Sequence, residues 1–204
     1  MSPDLVIDLE APPRFKRIGL LLRLLIAISA GSVLHAIGWP GAVLYFALPT
    51  LAAVLISQHT AAGYFTRDAP ALTRVLSWLV GFHAYMGLVS DRFPLAASDE
   101  PVRLEGAPRG TPTLGSAVAR IVTSLPALIV LWLLSIVSSI LWLLAAIAIL
   151  FVEHYPPSWW RFQCGVLRFG ARLLIYHASL DDETPPIRVD LGPSPHVAAA
   201  HAIK

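Results

Sequence analysis

No charged residue falls between Arg120 and Glu153, and none between Arg23 and Arg67. Leu, Ile, Val and Ala dominate both stretches. A charge-free apolar run well beyond about 20 residues belongs to a chain that resides in a membrane. Composition agrees, with 56% hydrophobic and only 14% charged residues, where a soluble domain carries about a quarter charged. A net charge of +2 over 204 residues is too small for a nucleic-acid partner, and none is expected. The single cysteine, Cys164, excludes an intrachain disulfide framework.

Taken in order, MSPDLVIDLEAPPRFKR places acids before bases and lacks a small-residue cleavage site, so no removable targeting peptide is expected. Spans are expected over about 19–37 and 42–58, joined at Gly38-Trp39-Pro40-Gly41, a strong breaker. Pro49 should kink the second. An amphipathic helix follows over about 72–90; it carries no charge between Arg74 and Asp91, so it either crosses or lies on the surface. Together these form a first membrane repeat, residues 1–95. A polar linker, 96–113, precedes a second repeat, 114–191, and a flexible Pro/Ala-rich tail, 192–204. The tract from Leu114 to Val152 would be about 58 Å as one helix, nearly twice the hydrocarbon thickness of about 30 Å. It is therefore expected to fold back near Ser135–Ser139, giving spans over about 115–134 and 139–153, with Pro126 kinking the first.

An interfacial helix is expected over about 158–178. Trp159, Phe162, Val166, Phe169, Leu173 and Tyr176 recur at helical spacing, with Arg161, Arg168 and Arg172 on the other side. Three Arg residues in a lipid-exposed span would cost about 2.5 kcal/mol or more each, so contact with lipid headgroups is the expectation for all three. The two halves share an order of features. Tyr85 and Tyr176, Asp91 and Asp182, and Pro94 and Pro185 are each offset by 91, and Arg23 stands where Arg120 does. Asp91 and Asp182 are thus repeat-equivalent acids, read as shapers of the turn after each amphipathic helix or, alternatively, as an ion site. Short alternating segments at 5–10, 101–105 and 187–191 suggest a small cytoplasmic sheet.

Arg120 through Pro126, Ile149-Leu150-Phe151, Tyr155-Pro156, Gly165-Val166-Leu167-Arg168, Asp182 and Pro185-Pro186 resemble a bacterial membrane family, domain of unknown function 4389. The pattern covers roughly residues 101–190, and the first half looks like a degenerate second copy. The resemblance implies an integral membrane protein and brings no activity with it.

The seven histidines show no paired ligand spacing, and no HExxH, phosphate loop or Ser-His-Asp set occurs, so neither cofactor nor metal nor catalytic residue is expected. Cys164 is expected to be an inert packed thiol. The fold expected is all-α and polytopic, in the bacterial cytoplasmic membrane, with both termini cytoplasmic because the basic residues flank the spans on one side. A non-catalytic accessory or assembly subunit of a larger membrane complex is the role expected, its partners being the bilayer and other membrane subunits. The alternatives are a small-molecule or lipid transporter, suggested by the repeat, and a membrane-interface enzyme, for which only Asp181-Asp182-Glu183 offers clustered polar groups.

Overall fold

The computed structural model describes residue 15, residues 17–26, 40–94 and 110–184, and residue 187. All regular structure among these residues is helical. Helix α1 covers residues 17–26. It is followed by α2, Pro40–Gln58, a single turn α3, Ala61–Gly63, a π-helical turn Tyr64–Asp68, and α4, Ala69–Met86. The second half comprises α5, Leu114–Thr123, α6, Leu125–Val152, and α7, Pro157–His177. The expected strands 5–10 and 101–105, nearly all of 187–191, the Gly38 turn and the tail lie outside the described residues.

One expectation is overturned. The apolar tract does not fold back at Ser135–Ser139; α6 runs unbroken through all five residues. The serines do not act as breakers because their hydroxyls are satisfied without opening the helix, those of Ser135 and Ser139 within α6 and that of Ser138 by Gln163 of α7. Ser135 donates to the Trp132 carbonyl at 2.7 Å and Ser139 to that of Ser135 at 2.7 Å, the back-bonding open to Ser in a helix. The break falls instead at Ser124, between α5 and α6, with Pro126 in the first turn of α6. Proline there cannot donate to the Val122 carbonyl and its ring crowds that turn. Thr113 starts α5 with a capping box, its backbone N–H and hydroxyl bonded to Ser116.

Helix α7 lies at the centre, packed on α6, α4, α2 and α5. Along α6 it runs antiparallel. Phe169 and Leu173 meet Ala127, Val130 and Leu131, Gln163 meets Ser138, and Tyr155, Trp159 and Trp160 meet Ala145, Ala146 and Ile149. Along α4 it is antiparallel too. Leu76 clusters with Ala178 and Leu180, whereas Trp160 donates to the Val89 carbonyl at 2.9 Å. Seats of small residues let the remaining helices close in. Leu48, Ala52, Ala53 and Ile56 of α2 pack with Ala117 of α5, and Ala145, Ala146 and Ile149 of α6 pack with Leu20 and Leu24 of α1.

The outside of this assembly is apolar to a degree unlike a soluble protein. The buried residues of α6 are Ala127, Ala145, Ala146 and Ile149, while Ile129, Trp132, Ile136, Ile140, Leu143, Ile147 and Phe151 are exposed. Small residues inside and large ones outside invert the soluble pattern. Among the described residues this one helix is long and apolar enough to cross a membrane, and only 17% of its most apolar window is buried, unlike the core helix of a water-soluble fold. Tyr45–Gln58 and Leu114–Thr123 are shorter apolar helices.

Candidate functional site

The charged residues that the sequence set apart meet as two clamps, each built on a buried arginine. Helix α4 ends in a left-handed residue, Leu88, at φ 60°, and α7 in Ser179, at φ 54°. In each case the next amide reaches back five residues, Val89 to the Ala84 carbonyl at 2.9 Å and Leu180 to that of Ile175 at 3.1 Å. The left-handed residue itself donates three back, Leu88 to Tyr85 and Ser179 to Tyr176. This pair of bonds is the Schellman closure, with Val89 and Leu180 as its buried apolar residues. A non-glycine residue in that conformation costs about 1–2 kcal/mol, so each turn needs support from outside itself.

The support is arginine. Arg23, 1% exposed, donates from one Nη atom to the Ser90 carbonyl at 3.0 Å and to Asp91 Oδ1 at 2.7 Å, and its guanidinium lies 4.1 Å from the centre of the Tyr85 ring. Arg120, 3% exposed, donates to the Tyr176 carbonyl at 2.8 Å, to the Asp181 carbonyl and to Asp182 Oδ1. It lies 4.6 Å from the centre of the Tyr176 ring. A cation at a helix C-terminus meets the negative end of the dipole, and the planar fork reaches carbonyl and carboxylate together. Asp182 is held from its other side by the Thr111 amide at 3.0 Å. Gly110, at φ +99°, brings the chain so close that a Cβ there would sit 1.7 Å from Asp182 Oδ2.

The second clamp adjoins a further polar cluster that sequence reasoning missed. His177 Nε2 lies 2.8 Å from Ser124 Oγ, which lies 2.9 Å from the Tyr45 hydroxyl. Tyr45 donates in turn to the Ile121 carbonyl, its ring edge-on to His177 at 4.7 Å. Ser124 sits where the helix breaks, so Pro126 leaves a carbonyl-rich corner and this cluster fills it. Burial pushes the His177 imidazole down from 6.5 to about 4, with the nearby Arg120 charge acting in the same direction. The Tyr176 hydroxyl bonds Thr123 at 2.7 Å, and Tyr64 donates to the Ala178 carbonyl. At the equivalent position of the first clamp stands Met86, whose carbonyl accepts from Trp142 Nε1 at 2.8 Å. The signal for the clamps was present, since Arg23, Tyr85 and Asp91 are matched by Arg120, Tyr176 and Asp182; what no spacing gave was that Arg reaches Asp. Tyr64 and Tyr155, also offset by 91, and Ala52-Ala53-x-x-Ile56 against Ala145-Ala146-x-x-Ile149 are further matches that were readable.

Arg161, Arg168 and Arg172 are half-buried along α7. They are not brought to Asp91 or Asp182. His59 lies 3.9 Å from Asp68, His83 bonds the Leu79 carbonyl at 3.0 Å, and Cys164 is buried beside Val80 and Ala171. Gln163 and Ser138 exchange two bonds, Gln163 Nε2 donating to the Ser138 carbonyl at 2.7 Å and the Ser138 hydroxyl donating to Oε1.

Residues 115–188 match the model of a family described as a domain of unknown function, DUF4389. The matched segment runs from α5 past Asp182 and so contains the whole second clamp, while the first clamp lies outside it. No curated protein and no solved structure matches the chain.

Proposed function

We propose that the protein is a membrane-embedded, non-catalytic subunit or assembly factor of a larger complex in the bacterial cytoplasmic membrane, built from two copies of one unit. The observation that carries the reading is the outward face of α6, where large apolar side chains follow one another from Leu125 to Val152. Such a surface needs lipid or another apolar protein against it. Support for a structural role comes from the buried polar groups. Arg23 and Arg120 hold helix ends, Ser124 and His177 join a helix break to α7, and Gln163 joins α7 to α6. Each links one helix to another.

Support for duplication comes from the clamps, which repeat the same carbonyl, carboxylate and ring partners at one offset, and from the Ala-Ala-x-x-Ile seats. The copies are exchanged, α2 receiving α5 and α6 receiving α1. Both termini are proposed to be cytoplasmic, as the Arg and Lys distribution argues. Extraction in a mild detergent followed by mass spectrometry of what co-purifies tests the role. One or a few membrane proteins in fixed ratio are expected, and a preparation of this chain alone would sink the subunit reading.

A further inference from the structure

We infer that the helices lie along the membrane within one leaflet, with α4 and α7 in the headgroup layer and α6 in the hydrocarbon beneath, rather than crossing it. The inference rests on the membrane-embedded reading and adds an orientation to it. Three independent features point this way.

The first is connectivity. At one end of the bundle stand the turn at Leu88–Asp91, the α6–α7 connection and the start of α1, joined by the Arg17–Glu153 ion pair at 3.0 Å, the Phe15 amide on the Glu153 carbonyl at 3.3 Å and the Trp160 bond to Val89. At the other end stand Tyr64, Ala178, Thr111 and Asp182. The chain leaves the first end beyond Asp91, with the Pro94 carbonyl accepting from Trp78 Nε1 at 3.1 Å, and comes back at Gly110 at the second. Whatever its conformation, the connection between them carries Asp99, Glu100, Arg103, Glu105 and Arg109. Five charges cannot pass through hydrocarbon. Both ends of the bundle therefore face the same water.

The second is where charge sits. A spanning bundle has an apolar belt with charges at its two ends. Here Arg161, Arg168 and Arg172 are distributed along α7, and exposed Arg74 lies in the second turn of α4. An in-plane arrangement brings all four to one depth, among lipid phosphates. The third is length. Helix α6, 28 residues, is about 42 Å long and apolar throughout, exceeding a hydrocarbon core of about 30 Å. In the plane of a leaflet no such limit applies.

Side-specific labelling of the full chain in its membrane decides between the arrangements. His154→Cys and Glu183→Cys, each in a Cys164→Ala background, place a thiol at an exposed position at either end of the bundle. With a membrane-impermeant maleimide, both should react in inverted vesicles and neither in intact spheroplasts. Labelling of the two from opposite sides would show α6 and α7 crossing and overturn the inference, whereas labelling of both from the outside alone would uphold the in-plane arrangement and overturn only the cytoplasmic side proposed for it. An alkaline carbonate wash of the same membranes keeps the two readings apart. Release of the chain would defeat membrane embedding itself, whereas retention with opposite-side labelling defeats only the in-plane arrangement.

Discussion

At the scale of single residues, His177 sets a pH limit. It is 1% exposed and holds its proton less readily folded, at about 4, than the ordinary 6.5. Between those values the unfolded chain binds more protons than the folded one, so stability falls as pH drops through the window and is level above it. At about 1.4 kcal/mol per pKa unit the loss approaches 3 kcal/mol by pH 4. Denaturant titration in micelles should show this slope in the wild type. His177→Gln, which keeps a polar group near Ser124 without a titrating proton, should flatten most of it. An unchanged slope would place the acid sensitivity elsewhere. None of this was visible in the sequence. A histidine one residue past a repeat-matched tyrosine looks like any interfacial histidine until Ser124 is seen to turn towards it. The aspartates were legible as equivalent because spacing alone aligns them, whereas their partner had to be found through space, 68 residues away for Arg23 and 62 for Arg120.

At the scale of elements, the amphipathic helices were the most readable, because a period of three and four survives burial. The helix expected over 158–178 is Pro157–His177. The fold-back was misread because length was allowed to outweigh local chemistry. Three serines look like punctuation, yet nothing between Ala127 and Val152 is Gly or Pro, and Pro126 is the one residue able to break the tract. The Ser138–Gln163 exchange gives the element scale its own prediction. Removing the Ser138 hydroxyl leaves the buried Gln163 oxygen without its donor, and removing Gln163 takes both bonds from half-buried Ser138. A buried group left unsatisfied costs about 1–3 kcal/mol, while replacing both partners by apolar groups approaches neutrality. Ser138→Ala and Gln163→Met should therefore each destabilise the fold, and the double variant should be more stable than the sum of the two. Strict additivity in a denaturation series would mean the two bonds do not couple α6 to α7.

At the scale of the molecule, the two clamps test whether the chain is one cooperative body made of two like units. Arg23 holds the turn at one end of the bundle and Arg120 the turn at the other, about 30 Å apart by the length of α7. Neither touches the other's partners. Each makes charge-assisted bonds to a carbonyl and a carboxylate, and loss of such a set costs on the order of 2–3 kcal/mol. Asp182 is the more exposed carboxylate, 43% against 20% for Asp91, so it recovers water more readily when its arginine goes. Arg23→Ala and Arg120→Ala should therefore destabilise by similar amounts, Arg23→Ala by slightly more. Lysine should rescue only part at Arg120, whose acceptors are divided between two Nη atoms, and more at Arg23, where one Nη atom reaches both. Distant sites without shared partners add to within about 0.5 kcal/mol, so the double variant should lose the sum of the two in one transition. Two separate transitions would instead mean that the halves unfold independently. The packing of α2 on α5 and of α6 on α1 argues against that, because neither half of the chain can open without stripping a helix from the other.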